Sequence, residues 1–126
     1  MIRKSCTGLA LILSLAAAPS YGQQATEMYI PIGASPGVSD TASIIGKVAA
    51  VDQQKRTLSI SDSTGTYTIA ITDETHIWLD QSKMQKANQT GSLVDLETGR
   101  RVEVKYKEPA RSPSVTADWI KVEIPK

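Results

Sequence analysis

Cysteine, histidine, long apolar runs and an excess of either charge are all scarce in this chain, and each scarcity removes a class of function. Of 126 residues one is a cysteine, Cys6, and one a histidine, His76. Cys6 belongs to a leading segment expected to be removed, so the remainder has no disulfide, no thiolate nucleophile and no thiolate metal ligand. No Gly-x-Ser-x-Gly turn accompanies His76, so Ser-His-Asp chemistry lacks its nucleophile elbow. Asp73 and Glu74 are adjacent carboxylates, but neighbours on a strand point to opposite faces and cannot share a substrate. Gly33-Ala34-Ser35-Pro36-Gly37 lacks the Lys-Ser/Thr and the helix of a phosphate-binding loop. The expectation is a non-enzymatic protein that needs no cofactor. Internal repeats and low-complexity tracts are also absent, which excludes a solenoid or a coiled coil.

The leading segment is an export signal by its pattern. Arg3 and Lys4 precede the apolar run Leu9 to Ala18, followed by Pro19 and the small-residue exit Ser20-Tyr21-Gly22. That run is far short of the ~20 residues of a membrane span, and no second apolar stretch follows it. Cleavage after Gly22 takes Arg3 and Lys4 but no acid, so the formal net charge falls by two, from +1 to −1. A near-neutral surface has no long-range attraction for DNA, RNA or anionic lipid, and no nucleic-acid partner is predicted. Three segments follow: a signal peptide over 1–22, an extended arm over 23–43 broken by Pro31, Gly33, Pro36 and Gly37, and one domain over 44–126. Export without cysteines suits the bacterial periplasm better than a eukaryotic secreted setting, where domains this small often carry disulfides.

From Ile44 the chain is a series of short runs rich in Val, Ile, Thr and Tyr, separated by turn residues. Five runs are predicted as strands: Ile44 to Val51, Arg56 to Ser61, Thr66 to Thr72, Arg101 to Lys107 and Thr116 to Ile124. Period two places Leu58, Ile60, Tyr67, Ile69, Ile71, Val102, Val104, Ile120 and Val122 inward. Gly46 marks a bulge or sharp bend. Between the third and fourth runs lie a brief extended piece, His76 to Asp80, and a polar stretch predicted as a short helical excursion. This layout predicts an all-β fold, a five-stranded Greek-key barrel of the OB type. A β-sandwich is the competing architecture, disfavoured because five strands barely make two sheets.

The order of motifs resembles a known family. Gly46-Lys47-Val48-Ala49-Ala50-Val51-Asp52, Thr57-Leu58-Ser59-Ile60, Tyr67-Thr68-Ile69, Thr72-Asp73-Glu74-Thr75 and Leu96-Glu97-Thr98-Gly99-Arg100-Arg101-Val102-Glu103-Val104 resemble the scaffold of the small periplasmic copper-binding OB-fold proteins of bacterial copper and silver efflux pumps. That family places a histidine at the end of the second strand and two methionines opening the third, capped by a tryptophan. Here the stretch is Ser61-Asp62-Ser63-Thr64-Gly65-Thr66, which lacks the soft donors that select Cu(I). The chain is equally similar to exported bacterial OB-like domains of unknown function, which share the glycine-bearing first strand and the Leu-x-Thr-Gly-x-x-Val pattern.

No metal site is predicted. The nearest approach to one is His76 and Trp78 with Met84, two soft donors and an indole able to sit over a soft cation. The plainer reading puts Trp78 over the barrel's open end, His76 at an edge and Met84 under the excursion. The outward residues of the second and third runs, Thr57, Ser59, Ser61, Thr66, Thr68 and Ala70, offer neither stacking platforms nor charge for nucleic acid. Arg100, Arg101, Lys105 and Lys107 are interleaved with Glu97, Glu103 and Glu108, as on a solvated strand edge. Tyr29, Ile30 and Ile32 form an apolar run within the arm that must be covered, either by plugging an open end of its own barrel or by an envelope partner. The sequence thus predicts an exported OB-like module that binds a protein partner or small ligand in the cell envelope, with periplasmic copper handling as the alternative.

Overall fold

The computed structural model describes residues 29–125; residues 1–22, expected to be an export signal and holding Cys6, and the start of the arm, 23–28, lie outside the described residues. Seven strands form one sheet: β1 (Ser43–Asp52), β2 (Thr57–Asp62), β3 (Gly65–Ala70), β4 (His76–Asp80), β5 (Gln89–Thr90), β6 (Arg101–Tyr106) and β7 (Ser114–Glu123). Their order is β3-β2-β1-β6-β7-β4-β5, and a parallel pairing of β3 with β7 closes five of them into a barrel. This is the ring order of an OB barrel, with β4 and β5 added outside it. Among the described residues no helix is long and apolar enough to cross a membrane.

Closure depends on two ten-residue strands that each serve two neighbours. The first half of β1 pairs with β6 and its second half with β2. β7 pairs along one edge with β6, while its other edge takes β3 at Ser114 to Thr116 and β4 at Trp119 to Glu123. Each long strand carries a β-bulge, one residue that resets the alternation and bends the strand. In β1 it falls at Ala49, between Val48 and Ala50, so that Val48 and Val51 both face the core. In β7 it falls at Asp118, because Lys105 opposes Trp119 while Tyr106 opposes Ala117. Val115 and Ala117 point inward before it, and Ile120 and Val122 after it.

Of the two irregularities expected at Gly46, a bulge or a sharp bend, the bulge lies three residues further on. Gly46 is a point of close approach. A Cβ there would collide with the Ser61 backbone carbonyl, so the missing side chain lets the end of β2 lie tightly against β1. The predicted helical excursion is reduced to two 3₁₀ turns, Ser82–Met84 and Leu93–Asp95, with β5 between them. Each segment is only three residues long, too short to offset the cost of starting an α-helix. The second is held by a capping box in which Asp95 accepts from the Ser92 amide at 2.8 Å.

The core is aliphatic. Ile44, Leu58, Ile60, Ile69, Val102, Val104, Ile120 and Val122 are all fully buried, and Tyr106 and Leu96 join the same cluster. Tyr67 reaches this cluster only in part, because its hydroxyl meets the Thr64 hydroxyl at 3.0 Å in the hairpin turn. Truncating Ile69 to alanine is expected to cost on the order of 2–5 kcal/mol. The outward neighbour Thr68→Ala should cost no more than about 1 kcal/mol. Urea unfolding midpoints for the two variants check this, and equal losses would contradict the barrel interior.

Candidate functional site

Outside the barrel, the strands β6, β7 and β4 present nine side chains in register. Arg101, ion-paired to Glu123 at 3.6 Å, forms one row with Glu123 and Asp80, Glu103, Lys121 and Trp78 form the next, and Lys105, Trp119 and His76 the third. The bulge at Asp118 sets this arrangement. Without the extra residue, Trp119 would continue the inward series of Val115 and Ala117.

The arm lies across this face. It is built from tight turns, with Ala34 N donating to the Pro31 carbonyl and Ala42 N to the Val38 carbonyl. Gly33 and Gly37 take positive φ of 87° and 72°. The Ile32 amide donates to Asp80 Oδ2 at 2.9 Å and the Gly33 amide to Glu103 Oε1 at 3.1 Å. Ser43 Oγ donates to the second Glu103 oxygen at 2.7 Å, and Lys121 Nζ donates to Ser35 Oγ at 2.8 Å. At the arm's outer end Asn88 Nδ2 donates to the Ile30 carbonyl at 3.1 Å. Glu103 and Lys121 are completely buried and Asp80 is 1% exposed. Such groups are tolerated inside a protein only when their hydrogen-bonding capacity is met, and here the arm's own backbone and hydroxyls meet much of it.

Glu103 thus belongs to no solvated edge. Its period-two position is outward, as expected, but the face it points to is roofed by a segment sixty residues away in sequence. Of the three arm residues expected to need cover, Ile32 is buried on the barrel's flank, Ile30 is half-buried and Tyr29 is 70% exposed. The cover is a flank of the barrel rather than its open end, because the charged side chains that hold the arm stand on the outer face.

Above the arm is an aromatic row. The His76 and Trp78 rings stack with centroids 4.1 Å apart and planes tilted by 33°. Trp119 is the register partner of His76, and the Lys121 ammonium sits 4.8 Å from the Trp119 ring centre. Trp78 covers the outside of β4 rather than the barrel's end, since its neighbour Ile77 takes the inward position. Met84 follows the far end of β4, about 13 Å of strand away from His76, so the structure brings together His76 and Trp78 and leaves Met84 apart.

The stretch that replaces the expected copper ligands borders a cleft of about 540 Å³ lined by Gly46, Lys47, Ser61, Asp62, Ser63 and Arg101 among others. Asp62 is committed to its hairpin. Its Oδ1 accepts from the Thr64 hydroxyl and amide, both at 2.7 Å, and from the Gly65 amide at 3.1 Å. The Thr64 hydroxyl and amide hold its carboxyl below the ordinary value of 3.8. On the outer faces of β2 and β3, Ser59 opposes Thr68 and Ser61 opposes Thr66, a surface of hydroxyls.

No protein-family model matches this chain, and no curated protein matches it. Among solved structures it is similar to the crystal structure of Ag(I)CusF, at 17% identity and a TM-score of 0.42, over 64% of this chain and 93% of that one.

The arm's anchorage and the neighbouring cleft can each be tested. Asp80→Ala orphans the Ile32 amide, so it is expected to cost on the order of 1–3 kcal/mol and to speed amide exchange at Ile32 and Gly33; unchanged stability and exchange would mean that the arm is not held there. Titration with Cu(I) against a strong chelator should leave no metal on the protein, since the cleft offers hydroxyls and a carboxylate already engaged. A tight stoichiometric site would overturn that expectation, and its loss in His76→Ala would place it on β4.

Proposed function

We propose that this chain is a non-enzymatic binding module of the bacterial cell envelope, exported by residues 1–22, in which the OB-like barrel is a scaffold for a recognition surface on the outside of β4 and β7. The observation that carries the reading is the placement of the aromatic side chains. The chain has two tryptophans and no phenylalanine, and the barrel interior is filled by aliphatics with Tyr106 and part of Tyr67. Both indoles and the one imidazole stand outside, Trp78 and Trp119 half-buried and His76 exposed. Aromatic rings held partly in water by a rigid sheet forgo burial that the core could have given them, and such rings are enriched where proteins make contacts.

The arm's share in a partner contact narrows to its outer end. Ile32 is engaged with its own barrel, which leaves Tyr29, with Ile30 beside it, as the part of the run that a partner would meet. Copper handling is the alternative that the His76 and Trp78 stack supports, and the Cu(I) titration above distinguishes it.

The test is made in cells. When the full chain is expressed, the processed protein should be recovered from the periplasmic fraction with Gln23 at its N-terminus. A photo-cross-linking residue at position 29 or 76 should give a discrete adduct that the same residue at Gln53 does not. Retention of the unprocessed chain in the cytoplasm, or the same adducts from all three positions, would refute the reading.

A further inference from the structure

We infer that the aromatic row on β4 and β7 is a binding site for the uncharged pyranose rings of an oligosaccharide, an inference that rests on the proposed binding face and gives it a ligand class. The floor is formed by the His76 and Trp78 rings, which pack against each other at 4.1 Å and so offer a ligand one face each, and by the face of Trp119, the register partner of His76, that is turned away from Lys121. Beside the floor the arm forms a wall, because the ammonium of Lys121 that lies 4.8 Å from the Trp119 ring centre also donates to Ser35 Oγ at 2.8 Å. At the rim Lys105 Nζ and Asp118 Oδ2 are paired at 3.0 Å with their side chains 30% and 43% exposed. The rim thus offers donors and acceptors side by side.

The surroundings exclude the other ligands of an aromatic surface. A cationic ligand would meet the Lys121 ammonium already placed against Trp119. A nucleic-acid strand stacks well on such rings but needs a basic groove for its phosphates, and the cation at this rim, Lys105, is neutralised by Asp118. A peptide joining as an added strand needs a free edge. Both edges of β7 are paired, β4 is flanked by β7 and, at Trp78 and Leu79, by β5, and the edge left on this side of the sheet is that of β5, whose two residues are too short to template a strand. What remains is a neutral ring with a flat face of C–H groups and hydroxyls around its edge. The C–H face carries slight positive charge and suits the negative face of an indole. The edge hydroxyls suit a paired amine and carboxylate, which can donate and accept at once.

The two tryptophans of the chain are both in this site, so the intact protein reports on it directly. Cellohexaose and the hexamer of β-1,4-linked N-acetylglucosamine are the probes, with glucose and N-acetylglucosamine as controls. At least one hexamer should give a saturable change in tryptophan fluorescence and move both indole N–H signals in the NMR spectrum, while its monosaccharide binds at least tenfold more weakly. Trp119→Ala should weaken binding tenfold or more with an unchanged circular-dichroism spectrum, and Ser63→Ala in the separate cleft should leave it unchanged. Indole signals unmoved by either hexamer up to about 10 mM, a range that captures even weak millimolar binding, would overturn the proposal without recourse to any variant. So would binding that shifts amides of β2 and β3 instead of the indoles, or indoles moved by a single-stranded oligonucleotide and not by sugars. If the sugars fail while position 76 still cross-links a discrete envelope partner, the ligand class is wrong and the binding face stands. If both fail, the face itself is wrong.

Discussion

Glu103 and Lys121 are charged, cross-strand neighbours on the outside of a small barrel, and neither has any exposure to water. Taking such groups out of water is costly unless each finds partners. The remainder of the N-terminal architecture follows from meeting that requirement. Gly33 and Ser43 approach one carboxylate and Ser35 the ammonium, while Asp80 takes the Ile32 amide. A polar network of this kind is geometrically demanding, so it fixes the path of the arm more sharply than an apolar contact by Ile32 alone would. The hydrophobic burial of Ile32 and the hydrogen bonds of its neighbours act at one place, which makes the arm part of the domain.

The same face owes its composition to backbone irregularity. A barrel closed by two long strands needs both to bend, and bulges at Ala49 and Asp118 supply the bends. The bulge at Asp118 also decides which side of the sheet receives Trp119. The extra residue at Asp118 thus serves both the bend of β7 and the outward placement of Trp119. The charged pair of Lys105 with Asp118 then sits beside the ring that the bulge has turned outward.

Local pattern was a good guide wherever a residue's environment is set by its own strand. Alternation in β2, β6 and β7 marks Leu58, Ile60, Val102, Val104, Ile120 and Val122 as inward, and all six are fully buried. It was silent wherever a distant segment decides the environment. Glu103 and an exposed glutamate have the same period, and only the arm, folded back over the sheet, distinguishes them. The position of a bulge is similarly hidden, because Gly46 has the composition expected of one while the irregularity falls at Ala49, where the ladder to β2 shifts. His76 and Trp78 were visible as a pair at i and i+2. Trp119 was missed as their companion because it comes from a strand forty residues later in the chain, and parallel register leaves no local mark.

Residue order by itself therefore determined the all-β character, the five barrel strands and their inward faces, since period two and turn residues act over a few neighbouring positions. Tertiary structure alone decided that β4 and β5 extend the sheet, that the excursion holds only 3₁₀ turns, that the arm roofs the outer face, and that both indoles and the imidazole meet there. The physical reason is range: alternation is a property of one strand, whereas burial of a charge and the meeting of side chains depend on which remote segments the closed barrel brings into contact.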